Sequence, residues 1–436
     1  MFIVLKRILE AALVRIQAVK VHIRTNLFKN QTLNGDRNFS ISISNKLNLE
    51  MRISLLLHVF LCIIFYSCTS LTDKEKGSQN ENYLKESITI LLDSVSTYQF
   101  NWIQVETDNN NKEFLINLNK IYNSLDFYDL ESKKLFKRIE IGKMSLGNKF
   151  FAHSFFYHNK DSIFIFPQFS FNGTLVINDI GEKIDERFKI DDFLEKNNES
   201  PYILNHITTP SNPSVYRNGN IYFSTIQMNV DIYNPLTIDV IPNYKWDLES
   251  NLITPILNVK YPNEYLEKIA TSHHSFTLKT VKGDSLIYSY PLLDTVYIYN
   301  FNHELISKKY CGSPNFKGFI EVPAGNPFNE QFKFVISQNS YARLLYDKYR
   351  EVYYRFFIIG RNLSEEDRST KDNSKNKFSV LVYDSDFNLI NQVEFPEKKY
   401  FHYSAFVGVK GLYIPLTNKD YEGLSDEYIK YDIFAF

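Results

Sequence analysis

Cysteine and tryptophan are scarce, at three and two residues in a chain of 436, and methionine numbers only four. No Cys or His grouping has the spacing of metal ligands, so no metal site is expected. A charge excess is also missing: 49 basic residues stand against 50 acidic ones, a net charge of −1. No overall field therefore recruits nucleic acid. The chain has no nucleophile elbow, no zinc-binding helix and no glycine loop that would cradle a phosphate, so it offers no catalytic residue and no cofactor. What is abundant is aromatic, with 36 Phe and 30 Tyr. Such a composition favours strands over helical bundles.

The clearest early signal concerns location. From Met51 the chain reads "MRISLLLHVFLCIIFYSCTS", one arginine before an apolar run from Ile53 to Tyr66. That run has the length of a secretory signal core and falls short of the ~20 residues that span a bilayer. Ser67 before Cys68 resembles a lipobox, although Phe65 and Tyr66 stand where the strict pattern prefers Leu and a small residue. Residues 51–67 are thus expected to be a lipoprotein signal peptide and Cys68 the acylated residue. The polar stretch 68–85 suits a flexible tether to the lipid. With Cys68 lipidated, Cys311 is alone and no internal disulfide can form in the mature chain; Cys311 is expected to be a small packed residue at a strand end. Residues 1–50 carry a basic amphipathic pattern, but a complete signal begins only at Met51, so they are assigned to an upstream extension outside the fold.

Beyond the tether the sequence repeats itself. "LDFYDLESKKL", "LVINDIGEKI", "YKWDLESNLI", "YIYNFNHELI" and "LVYDSDFNLI" are hairpins built on the turn residues Asp129, Asp179, Asp247, Asn300 and Asp384. An apolar residue follows five positions later at Ile184, Leu252, Leu305 and Leu389, and six later at Leu135. Fixed spacing is what a hairpin needs, because a slip of one residue turns every side chain to the wrong face. A second hairpin precedes each of these, as in "NNNKEFLINL" and "TVKGDSLIYSY". Four antiparallel strands per repeat, none able to bury both faces alone, define a β-propeller. "FVGVKGLYIPL" and "EYIKYDIFAF" give a sixth repeat one strand short, and "ESITILLDS" near the start is a strand without a blade. Residues 86–436 are therefore expected to form an all-β, six-bladed propeller of four-stranded antiparallel blades. The last blade is closed by the N-terminal strand, which removes an exposed edge.

The lipoprotein start, the size, the aromatic hairpins and the closing "YIKYDIFAF" resemble an uncharacterised domain-of-unknown-function family of six-bladed β-propeller lipoproteins from Bacteroidota. The resemblance spans about Cys68 to Phe436 and implies a cell-envelope location. Anchoring by lipid to the outer membrane is expected, and the lack of a strong acidic run after Cys68 resembles the sorting of lipoproteins that face the periplasm. It brings no catalytic residues.

Geometry assigns the first and third turns of each blade to one rim and the second turns and inter-blade links to the other. Extra length collects on the second rim, where loops carry function. Tyr202, Tyr233, Tyr244 and Trp246 are candidate stacking platforms for a ligand, set against the commoner use of large rings in inter-blade packing. Glu365, Glu366 and Asp367, and likewise Asp420, Glu422 and Asp426, lack the spacing of a calcium loop and suit a solvated surface. Adjacent His273 and His274 point to opposite sides of a strand and do not converge on one metal. The triplets at Asp93, Asp161, Asp284 and Asp294 resemble an O-glycosylation signal but also match turn-to-strand chemistry. The expectation is a lipid-anchored envelope module binding a glycan, peptide or protein on its long-loop rim, with the membrane as partner through its lipid. Its rival is a propeller hydrolase or lyase with carboxylates at the channel mouth and a metal ion.

Overall fold

The computed structural model describes residues 82–141, 151–167, 174–187, 204–206, 208–227, 243–266, 277–316, 335–362 and 375–436. All of these lie in one of the chain's two compact units, Gly77–Phe436. Six antiparallel sheets follow one another along it. The opening strand β1 (Leu84–Leu91) belongs to the last of them. Blade 1 is β2 (Ile103–Thr107), β3 (Glu113–Asn119), β4 (Ser124–Asp129) and β5 (Lys134–Glu140), and blade 2 is β6 (Ala152–Asn159), β7 (Ser162–Pro167), β8 (Thr174–Ile177) and β9 (Lys183–Arg187). Blade 3 holds β10 (Leu204–His206), β11 (Val215–Arg217), β12 (Asn220–Gln227), β13 (Asn243–Asp247) and β14 (Leu252–Pro255). A short helix, α1 (Asn263–Leu266), leads to blade 4: β15 (Leu278–Lys282), β16 (Ser285–Ser289), β17 (Thr295–Asn300) and β18 (Leu305–Tyr310). Blade 5 is β19 (Ser340–Asp347), β20 (Val352–Ile358), β21 (Phe378–Tyr383) and β22 (Leu389–Phe395). Blade 6 is β23 (Phe406–Gly408), β24 (Gly411–Pro415) and β25 (Tyr428–Phe434), completed by β1.

The expected closure is present. β1 runs antiparallel to β25, with Ile88 opposite Tyr431 and Leu91 opposite Tyr428. Blade 3 departs from four plain strands, since its innermost position is split between β10 and β11, both paired with β12. Pro210 and Pro213 stand between the two pieces, and proline has no N–H to give to a ladder.

Burial explains why the blades form a ring. Among the described residues the buried apolar side chains fall into six clusters, each shared by two neighbouring blades. Ile116 and Phe127 of blade 1 meet Phe155 and Ile163 of blade 2, for example, and Val380 of blade 5 meets Leu412 of blade 6. The cluster of Ile88, Tyr413 and Tyr431 with Leu115 and Tyr128 joins blade 6 to blade 1. A lone blade would leave both apolar faces wet.

The polar third turns set the register. Asp129, Asp247 and Asp384 each accept two backbone N–H bonds from residues just ahead in the turn, all at 2.8–2.9 Å. Asn300 accepts one from Glu304 at 2.9 Å. In blade 2 this role belongs to Asn178, which accepts from Ile180 and Glu182, and not to the expected Asp179. Asp179 instead pairs with Lys137 of blade 1 at 2.9 Å. With Asn178 as the turn residue, each return strand begins five positions later, including β5 at Lys134. Four of these outer strands then carry a β-bulge, at Phe136, Ile184, Ile306 and Ile390. The bulges turn these side chains to the outer rim, 57–59% exposed.

Candidate functional site at the mouth of the axis

The innermost strands β2, β15, β19 and β23 each run toward a tight first turn, and these turns meet at one end of the ring. A cavity of about 300 Å³ opens there, lined by Val105, Thr107 and Glu113 of blade 1, Val281 and Gly283 of blade 4, Tyr346, Lys348 and Tyr349 of blade 5, and Val407 of blade 6. Blades 1 and 4 lie opposite each other in a six-fold ring, so the cavity sits on the axis. Gly283, at φ 56°, provides the left-handed turn that a side chain would strain.

Glu113 is held firmly within the lining. Its Oε1 accepts the Tyr349 hydroxyl at 3.1 Å and the Val409 backbone N–H at 2.8 Å, tying blade 1 to blades 5 and 6. Gly408 leaves the space: a Cβ there would lie 2.8 Å from the Tyr413 ring and 3.1 Å from the Glu113 carboxylate. Burial, reinforced by the Glu113 carboxylate, pushes the Tyr349 hydroxyl up to about 12. It stays a neutral donor at physiological pH. Lys282 lies 5.3 Å from the Tyr346 ring and 5.6 Å from the Tyr353 ring, adding positive charge beside the aromatic wall. Beside the mouth, burial raises the pKa of Glu106, opposed by a 2.7 Å bond from Gln104 and by the charge of Lys348.

At the opposite end of blade 1, just after β3, Lys120 stands 3.1 Å from the centre of the Trp102 ring and 3.4 Å from His153 Nδ1. Burial brings Lys120 down to about 8, and burial with that nearby charge brings His153 down to about 4. At neutral pH His153 is therefore uncharged.

Of the candidate platforms, Tyr244 and Trp246 share β13 and are packed in the core between blades 2 and 3. Trp246 is 0% exposed; the Phe164 ring lies edge-on at 5.7 Å and its indole N–H donates to Asn251 Oδ1 at 3.1 Å. Tyr244 stacks on Phe223 at 5.8 Å. Both rings thus take the packing use, because side chains on this face of β13 point into the neighbouring blade. Tyr202, Tyr233, His273, His274, Glu365, Glu366, Asp367 and Cys68 lie outside the described residues, as does most of the long-loop rim. Cys311, just after β18, is fully buried and free, and burial pushes its thiol up to about 11. Three of the four glycosylation-like aspartates carry structural contacts: Asp93 with Arg138, Asp284 with Arg217, and Asp294 with the Tyr341 hydroxyl. Among the described residues no three His, Cys, Asp or Glu side chains gather as a metal site requires.

The mouth lies on the rim of the first turns, opposite the long-loop rim where recognition was expected, and it was not legible in the sequence. Its residues come from turns over 300 positions apart, and valines and tyrosines there look like any others in a strand.

A family described as DUF4221, a domain of unknown function, matches residues 81–392. The solved structure of a DUF4221 family member from Bacteroides vulgatus superposes with a TM-score of 0.68 at 19% identity, covering 81% of this chain and 97% of that one. A Bacteroides fragilis protein described as exported superposes at 0.48 with 12% identity, over 83% of this chain and 98% of its own. No curated protein matches by sequence.

Proposed function

The chain belongs to the DUF4221 family, and from its ring architecture and the cavity on the axis we propose a lipid-anchored binding module of the bacterial cell envelope. Its ligand would be one end of a glycan, peptide or protein partner. The observation that carries this reading is the composition of the mouth. Val105, Val281, Val407 and two tyrosines form an apolar and aromatic wall, with Lys348 and a hydrogen-bonded Glu113 as the charged groups. A cavity that sets apolar and aromatic side chains beside a few fixed polar groups is the usual form of a ligand site. Glu113 is committed to two donors, which suits an orienting acceptor better than an acid or base that must exchange protons.

The lipid anchor rests on the signal-like stretch 51–67 and Cys68. Metabolic labelling with a fatty-acid analogue, native protein against Cys68→Ala, tests it: equal labelling of both would end the proposal. A glycan and peptide array on the full chain tests the mouth, with Val281→Trp to fill it. Ligand retained undiminished by the filled variant would place recognition elsewhere. For the rival hydrolase or lyase, Glu106 and Glu113 are the acids available near the mouth; turnover abolished by Glu106→Gln or Glu113→Gln would favour it.

A further inference from the structure

Two arginines on neighbouring strands of blade 5 are fully buried, yet they are treated differently. Arg355 on β20 uses both of its terminal nitrogens and leaves only Nε without a partner among the described residues. Its Nη1 donates to the Cys311 and Asp294 carbonyls, and its Nη2 to Ser289 Oγ at 2.8 Å and to the Leu293 and Tyr290 carbonyls at 2.6 and 3.5 Å. The Tyr341 ring lies 3.5 Å from its guanidinium carbon. This is how the fold accommodates a buried guanidinium for structure alone.

Arg343 on β19 is 0% exposed, and only one of its nitrogens is used. Nη1 donates to the carbonyls of His402 at 3.0 Å and Tyr403 at 2.9 Å, while Nε and Nη2 have no partner among the described residues. The free pair matters because Nε–H and Nη2–H point the same way and form the two-pronged edge that fits two oxygens of a carboxylate or phosphate group. No carboxylate among the described residues forms an ion pair with it; burial alone, unopposed by any acidic neighbour, pulls its pKa down to about 9. A β-bulge between Tyr341 and Arg343 sits at this position, a device that re-aims side chains. The short 3₁₀ helix that accepts the Nη1 bonds, His402–Ser404, contributes two more buried polar atoms without partners among the described residues, His402 Nε2 and Ser404 Oγ. Burial, with the charge of Arg343 nearby, holds His402 neutral, its pKa lowered to about 3.

An enclosed cation with an open edge is costly unless an opposite charge completes it. We infer that the Nε/Nη2 edge of Arg343, with His402 and Ser404 on the adjoining helix, binds a small oxyanion, a carboxylate or phosphate group, between blades 5 and 6. This site is separate from the axial mouth, and its success or failure does not depend on the function proposed there.

The test is calorimetry and thermal unfolding of the full chain with acetate, inorganic phosphate and sulfate at constant ionic strength, chloride serving as control. Native protein should bind acetate or phosphate saturably at one site. At a hundred-fold excess over Kd, its Tm should rise by about 3–4 °C for a ring of this size. The acetate and phosphate arms distinguish a carboxylate from a phosphoryl ligand. Arg343→Met should abolish the response. Arg343→Lys, which keeps the charge and loses the two-pronged edge, should weaken binding at least about ten-fold; it decides the matter if the Met variant does not fold. No saturable response beyond chloride in native protein overturns the inference, as does a response of equal size in Arg343→Lys.

Discussion

The Ser87 hydroxyl donates to Asp432 Oδ1 at 2.5 Å, joining side chains 345 positions apart. The pair fastens β1 to β25, and Asp432 also accepts the Tyr400 hydroxyl at 2.7 Å. Ser87→Ala is expected to lower stability by about 1–2 kcal/mol, read from urea unfolding, since it removes a bond to a charged group that keeps another donor. Deleting residues 82–91 should do more. It bares the whole edge of β25, and concentration-dependent association by light scattering is the expected result.

Acid should loosen the same closure. Arg138 donates to Asp93 Oδ2 at 2.7 Å and to Asp126 Oδ1 at 2.6 Å, linking the segment after β1 to blade 1. Chiefly through Arg138, Asp93 is lowered to about 2. A carboxyl depressed in the folded state contributes stability above its unfolded pKa of ~3.9 and loses it as pH falls through about 2. Because Asp93 is 40% exposed, solvent screening limits this to about 1 kcal/mol. Asp93→Asn should flatten the stability profile between pH 4 and 2, as measured by urea titrations.

Lys279 gives a slope of the same sign at higher pH, from a group whose burial costs stability instead of adding it. It is 1% exposed, its Nζ donates to the Tyr222 carbonyl at 3.3 Å, and burial lowers its pKa to about 7. The unfolded chain holds this proton up to ~10.4, so stability should rise as pH increases from about 7 toward 10, by at most ~1.4 kcal/mol per unit. Lys279→Met should be more stable than native protein at pH 7 and should lack that slope. Chemical denaturation across the range checks both.

Gly408→Ala is expected to cost about 1–3 kcal/mol, because its methyl group would press on Tyr413 and on the Glu113 carboxylate. Glu113→Gln should fold normally while the Tyr349 hydroxyl falls from about 12 part of the way toward 10, burial remaining as the larger cause. Carbon-13 labelling of the tyrosine Cζ atoms resolves that titration by NMR.

The hairpin spacing was readable because turn chemistry is local. Asp247 and Asp384 act on residues two to four positions away, and a side chain that short leaves its mark in a ten-residue window. Asn178 was missed in favour of Asp179 because both are good turn formers and only the backbone hydrogen bonds separate them. The break in the inner strand of blade 3 had its cue in Pro210 and Pro213. The closing strand was legible because six repeats lacked one member. Arg343 and Arg355 gave no such cue: a basic residue within a strand looks solvent-facing until the neighbouring blade covers it. Tyr244 and Trp246 posed the reverse problem, since an aromatic ring at a site and one in a core have the same letter.

β1 is made first among the strands and pairs with the one made last, Leu84 lying opposite Phe434. During synthesis it must wait unpaired, with Ile88 and Ile90 uncovered, while some 340 residues follow it, since the Ser87–Asp432 contact spans 345 positions. A chain that crosses a membrane as it emerges would carry this exposed strand into the next compartment well before its partner arrives. The slowest step of maturation is thus expected to be the meeting of the two ends, and a holdase that shields β1 should raise the yield of closed rings.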